Sequence, residues 1–182
     1  LAFTYERWEG VLPDPGELRP AERELLTQVE NGLGTVADLM NAVKLRAALS
    51  EAMRLATEVN RYLDTSAPWF EIKTDKDQAA KSVYTAIRAI DTIKAMLAPF
   101  LPFTCEKLHI FLGYETPLFG SQTVDAIQDK LGEHQTLLYV PGNAGGEWKA
   151  SQLQPGRKLV QPAPLFKKLD TCIIEEERAR LG

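Results

Sequence analysis

The sequence predicts an all-α fold, an antiparallel helical bundle followed by an irregular C-terminal arm. Two observations carry that prediction. Three windows, residues 21–38, 45–65 and 76–97, repeat apolar residues at intervals of three and four, which lays one apolar stripe along each helix. The links between those windows are short, and short links make neighbouring helices antiparallel. The chain divides into a bundle over 1–113 and an extension with a closing arm over 114–182.

The first segment, residues 1–9, is apolar and aromatic and stops at Gly10, so it reads as the last turns of a helix. A proline-rich loop follows. Pro20 suits the first turn of the next helix, where its missing N–H costs nothing. Leu25, Leu26, Val29, Leu33, Val36, Leu39 and Met40 form its stripe. Gly32 and Gly34 weaken this helix by roughly 1 kcal/mol each relative to alanine. The window 45–65 places Leu45, Leu49, Ala52, Ala56, Val59 and Leu63 on one face, with Leu49 expected in the core. Glu51 and Arg54, and Glu58 and Arg61, are opposite charges three residues apart. Pro68 ends the helix, because the residue before a proline avoids the α region.

Asp75 is a natural cap for the helix over 76–97, whose stripe is Ala80, Val83, Ile87, Ile90, Ile93 and Leu97. Pro99 and Pro102 close it. Residues 102–112 read as a short helix with Phe103, Leu108, Phe111 and Leu112 inside and Gly113 past its end. Beyond Gly113 the periodicity degrades. A short helix at 123–131 and short strands at 137–140 and 158–160 are expected. Residues 164–169 look docked, and 171–181 form a charged helix with acidic residues first and arginines last, as the helix dipole favours.

With 45% hydrophobic and 25% charged residues in 182, the chain is neither disordered nor fibrous. No stretch is apolar for long enough to span a bilayer. No basic, apolar leader is present, and a start at Leu1 instead of Met suggests a piece of a longer chain or a processed product. Two distant cysteines and two histidines give no zinc pattern and no disulfide framework, which makes a reducing, cytoplasmic setting the default. The net charge of −4 argues weakly against nucleic acid, but it is uneven. Residues 1–43 carry −5 and 104–147 carry −4, whereas 44–94 carry +2 and 149–182 carry +3.

Catalytic chemistry is scarce. There is no phosphate-binding glycine loop, no Gly-x-Ser-x-Gly and no histidine pair at metal spacing. His109 reads as a core or interface histidine, His134 as exposed, and Cys105 as a small buried hydrophobe. Glu175–Glu177 read as a solvated helix start instead of a metal site, and Gly142–Gly146 as a turn. One cluster stands apart: Asn60-Arg61-Tyr62-Leu63-Asp64-Thr65-Ser66-Ala67-Pro68-Trp69. Helical spacing puts Asn60 and Asp64 on one side, and the chain then turns at Pro68 and presents Trp69. Two readings stay open. Trp69 either plugs the end of the bundle or forms a platform on which a base stacks while Asn and Asp read its edge.

This decapeptide resembles the anticodon-binding domain of methionyl-tRNA synthetases. Residues 3–10 (FTYERWEG), Leu101-Pro102-Phe103, Lys107-Leu108, Leu112-Gly113, Gln154-Pro155-Gly156 and residues 164–170 (PLFKKLD) resemble the same family in order and spacing. The resemblance implies that Trp69, on Pro68, stacks on the first base of a CAU anticodon. It implies that Asp64 excludes wrong anticodons and that Asn60 holds the helix end and turn together. An Asn and Arg pair that the family uses on the cytosine would lie before Leu1. The ATP signatures resembling His-Ile-Gly-His and Lys-Met-Ser-Lys-Ser are absent from this chain. The piece would therefore bind tRNA, lack the catalytic half that handles ATP and Mg, and be inactive alone. Its arm would pack on the bundle or on that half. The bundle alone also fits other class I synthetases (valyl, isoleucyl, leucyl, cysteinyl), or a helical protein-interaction module with Trp8 and Trp69 in an interface.

Overall fold

A computed structural model describes residues 1–166 and 172–181. Its helices are α1 (Ala2–Arg7), α2 (Pro20–Asn41), α3 (Leu45–Ser66), α4 (Pro68–Glu71), α5 (Lys76–Leu97), α6 (Pro102–Phe111) and α7 (Cys172–Leu181). Between α6 and α7 lie two strands, β1 (Ser121–Asp129) and β2 (Gly132–Val140). The fold is mostly helical, and all-α describes it only approximately.

The core sits where α2, α3 and α5 meet. Leu25, Leu26, Val29, Leu33 and Val36 of α2 face Ala48, Ala52, Leu55 and Val59 of α3 and Ala86, Ala89, Ile93 and Met96 of α5. Each fully buried large aliphatic side chain here contributes about 1.5–3 kcal/mol. Alanines on α3 let the helices approach closely. At Gly32 a Cβ would stand 2.3 Å from Leu55 Cδ1, so the glycine marks the crossing of α2 over α3. A second cluster joins Leu12, Val83, Tyr84, Ile87, Leu112 and Leu153, with Phe3 and Trp8 of the N-terminal segment packed against it.

Helix ends follow the local chemistry. Pro20 is the first residue of α2, and Asp75 caps α5 by accepting from the Gln78 amide at 2.9 Å. The α3 stripe is rotated from the expected one: Ala48 and Leu55 are fully buried, Leu49 only half so, and Leu45 is exposed. Both stripes satisfy the helical period, and only the position of α2 and α5 selects between them. Phe103, expected inside, is 84% exposed, because Cys105, His109 and Leu112 occupy the face of α6 turned to α5.

The expected helix at 123–131 is instead β1, paired antiparallel with β2 from Ser121 opposite Val140 to Asp129 opposite Gly132. Thr123, Val124 and Ile127 are β-branched, and Gly132, at φ +100°, closes the two-residue turn of Lys130 and Leu131. Residues 137–140 are extended as expected, as the end of β2. The expected strand at 158–160 is reduced to one bridge, Lys158 with Val11.

The arm over 148–160 runs back across the bundle. Trp148 Nε1 donates to Leu33 O, Ser151 N to Thr92 Oγ1, Tyr84 OH to Leu153 O, and Val160 N to Phe111 O. Gly113, at φ +81°, lets it pass: a Cβ there would lie 1.9 Å from Lys158 O. Of the segment expected to dock over 164–169, residues 167–169 lie outside the described residues, as does Thr171 of the expected final helix. Among the described residues no helix is long and apolar enough to cross a membrane.

Candidate nucleic-acid interface

The end of α3 is built from side chains that return to their own helix. Thr65 Oγ1 donates to Arg61 O at 2.9 Å and Ser66 Oγ to Tyr62 O at 2.7 Å. Pro68 has no N–H to continue the ladder and bars Ala67 from the right-handed α region. Ala67 accordingly adopts φ 38°, ψ 56°, a left-handed conformation unfavourable for a residue with a Cβ. That one residue redirects the chain. Its carbonyl then accepts from Phe70 N and Glu71 N, starting α4 on a new axis.

The consequence is a division of labour within α4. Pro68 is fully buried and closes the end of the bundle. Trp69 and Phe70 are left outside, 40% and 67% exposed, with ring centroids 6.4 Å apart and planes at 65°. Pro68 is thus the fully buried residue at this end of the bundle, and part of the Trp69 ring faces solvent. Asp64 is exposed in the last turn of α3 and makes no ion pair among the described residues. Asn60, one turn earlier, is exposed and makes no side-chain hydrogen bond among the described residues. Thr65 and Ser66, not Asn60, bond across the end of the helix. Asn60 borders a different feature, an apolar groove of about 390 Å³ between α3, α5 and α6 with Leu165 and Phe166 at its rim.

Beside Phe70 lies a depression of about 700 Å³ between the start of α2, the end of α3, α4 and the start of α5. Its wall is stiffened by a buried carboxylate. Glu22 is fully buried and takes hydrogen bonds from the Arg19 guanidinium at 2.5 Å and from Tyr62 OH at 3.1 Å. Burial works to raise the Glu22 carboxyl, but the Arg19 and Tyr62 hydrogen bonds outweigh it and hold the group below the ordinary carboxylate range. Burial, helped by the Glu22 charge, pushes Tyr62 up to about 12. Sequence reasoning missed Phe70, Arg19 and Glu22. The capping-box spacing of Glu22 was the available signal, with Arg19 in the place of the usual hydroxyl or carboxylate.

A second polar centre is internal. Lys94 Nζ, on buried α5, donates to Asp91 Oδ1 at 2.6 Å and to His109 Nδ1 at 2.9 Å, and lies 4.4 Å from the centroid of the Tyr114 ring. Tyr114 OH donates to Asp91 Oδ2 at 2.8 Å, and His109 stacks on Tyr114 with centroids 4.1 Å apart. An ammonium can only donate, so Nδ1 of His109 accepts and Nε2–H donates to Thr116 O at 3.1 Å. Burial and then the Lys94 charge lower His109 to about 4. Burial raises Cys105 to about 11, which keeps it a thiol. His134 is exposed, as expected. Among the described residues no group of three or more His, Cys, Asp or Glu is placed to hold a metal. At the end of the bundle the structure presents two neighbouring, partly exposed aromatic rings, Trp69 and Phe70.

The comparisons with known proteins bear on the family and the fold. A family model for the anticodon binding domain of methionyl tRNA ligase matches residues 12–144. The chain is 46% identical over 183 residues to a methionine–tRNA ligase of Thermomicrobium roseum, covering 100% of this chain and 31% of that relative. It is 43% identical over 182 residues to the methionine–tRNA ligase of Chloroflexus aggregans, covering 100% of this chain and 30% of that one. The chain thus spans just under a third of the curated relatives it matches. In fold it is similar to the free-state crystal structure of Mycobacterium tuberculosis methionyl-tRNA synthetase, with a TM-score of 0.72 and 18% identity over 93% of this chain and 30% of that one.

Proposed function

The chain belongs to the family of methionyl-tRNA ligase anticodon-binding domains, and from that premise we propose that it recognises the CAU anticodon of a methionine-accepting tRNA. In this reading it is part of a cytoplasmic ligase that attaches methionine to tRNA. ATP and Mg are handled by a catalytic part of the same protein, and none of the residues described above is assigned to them. The observation that carries the reading is Trp69, held outside the bundle by the Ala67–Pro68 break. An indole fixed at both ends by helix offers a base a flat apolar face without the entropy cost of ordering a loop.

Asp64 stands in the last turn before the break. Its carboxylate repels a misplaced phosphate and offers a base edge only acceptors, which penalises anticodons that cannot donate there. Asn60, one turn below on the same helix, is unengaged and extends that polar edge. Exposed Lys73 and Lys76, just after α4, supply charge for the RNA backbone.

In the intact ligase, Trp69→Ala is expected to lower kcat/KM for tRNA by about 5- to 150-fold, the equivalent of about 1–3 kcal/mol of lost stacking. Methionine activation without tRNA should be unchanged, and the loss should vary little with salt, because stacking neutralises no phosphate. A variant that melts earlier yet discriminates anticodons normally would make Trp69 a structural residue and refute the reading.

A further inference from the structure

We propose that the depression beside Phe70 is a second base subsite, taking the adenine that follows the base stacked on Trp69. This rests on the anticodon reading above and extends it to a residue pair, Phe70 and Gln78.

The first observation is the geometry of the two rings. Their planes are inclined at 65° with centroids 6.4 Å apart. Two bases stacked on one another are parallel, so they cannot lie flat on both platforms. If both rings bind, consecutive bases are splayed apart, each onto its own ring, as single-stranded RNA is commonly read. Phe70 is the more exposed of the two, and it lines one side of the depression. A volume of about 700 Å³ lies within the usual ~300–1,000 Å³ of small-ligand sites and accommodates a nucleoside.

The second observation is the chemistry of the lining. Arg19 and Glu71 are the charged groups that line it, and they oppose each other in sign. The Arg19 guanidinium is already held by Glu22. The hydroxyl hydrogens are also committed: Tyr62 to Glu22, Thr65 and Ser66 to carbonyls of α3, and Thr74 to Glu71 O. The Arg19 charge is already paired with Glu22 and the Glu71 carboxylate adds a negative one, so the site suits a neutral base better than a phosphate. The Glu71 carboxylate makes no hydrogen bond among the described residues, and Gln78 is the one neutral polar side chain of this lining that makes none either. Its backbone N–H goes to Asp75 and its carbonyl accepts from Ser82, but its amide has no hydrogen bond among the described residues.

A primary amide presents one donor and one acceptor in a plane. That pair matches the N7 acceptor and N6 donor of adenine. Guanine presents two acceptors on the same edge, of which the amide can satisfy one. The Glu71 carboxylate, itself an acceptor, adds to the mismatch. The base after C in CAU is adenine, so the lining and the reading converge.

The test uses the full-length ligase and tRNA transcripts bearing CAU or CGU. Phe70→Ala should reduce kcat/KM for the CAU transcript by about 5- to 150-fold, and Phe70→Tyr, which keeps the ring, should restore it. Gln78→Ala should shrink the preference for CAU over CGU by about 5- to 150-fold while leaving discrimination at the first base intact. ATP–pyrophosphate exchange with methionine alone should be unchanged in all three. Trp69→Ala is measured alongside. If Trp69→Ala lowers charging but Phe70→Ala and Gln78→Ala leave the middle-base preference intact, the second subsite is wrong and the anticodon reading stands. If Trp69→Ala also has no effect, the anticodon reading itself fails. Should Phe70→Ala not fold, the middle-base preference of Gln78→Ala decides alone.

Discussion

At the scale of single residues, the difference between stripe and core is measurable. Leu55 is fully buried between α2 and α5, whereas Leu49, which shares the helical period, is only half-buried. Leu55→Ala removes apolar volume that the surrounding helices cannot refill, and should cost about 2–5 kcal/mol. Leu49→Ala should cost less than half of that. Urea unfolding of the two variants checks it, and equal losses would put the α3 interface on the wrong face. Trp69 and Pro68 show the same contrast in adjacent positions. One backbone residue, Ala67, decides which of them is core and which is surface.

At the scale of elements, α2 contains two glycines whose sequence context looks equivalent and whose packing differs. At Gly34 a Cβ would point into open space, so Gly34→Ala should stabilise the chain by up to about 1 kcal/mol through helix propensity and a less flexible unfolded state. Gly32 meets Leu55 Cδ1 at 2.3 Å and Met96 Cε at 3.4 Å. Gly32→Ala gains the same propensity but must push Leu55 out of its place, and the net effect should be destabilising by about 1–3 kcal/mol. Thermal melts of both variants give opposite signs if α2 crosses α3 at Gly32. The hairpin is the opposite kind of element. β1 and β2 bond to each other while most of their residues face solvent, so their pairing is nearly all that defines them.

At the scale of the whole molecule, the Lys94 centre links α5, α6 and the loop after α6, and it makes stability depend on pH. His109 has a folded-state value of about 4 against about 6.5 when unfolded, so the unfolded chain takes up the proton first on acidification. Stability should therefore be full above pH ~6.5 and fall by at most about 3 kcal/mol as the pH drops to ~4. Glu22, held below the ordinary carboxylate range, adds a further loss below pH ~4.5. Urea unfolding at pH 7, 5.5 and 4 reads the slope. His109→Gln keeps an acceptor for Lys94 without titrating, and should flatten the upper part of that window. An unchanged slope in this variant would assign the dependence to another group.

What the sequence determined by itself was local. Apolar spacing located α2, α3, α5 and α6 to within a few residues, Asp75 announced its cap, and the Pro68 break marked the turn before Trp69. These features depend on neighbours within a turn or two, which the sequence displays directly. The closing helix α7 was legible from its charge order for the same reason. The tertiary structure decided everything that needs a distant partner. Which of two periodic faces of α3 is buried depends on where α2 and α5 lie. Glu22 becomes a core residue only because Tyr62, forty positions on, meets Arg19 across it. His109 acquires its role from Lys94 and Thr116, and the strand character of 121–129 from its pairing with 132–140. Phe70 looked like one more aromatic beside Trp69. It became a candidate platform because α2, α3 and α5 leave a depression beside its ring, and enclosure of that kind is a property of three helices together.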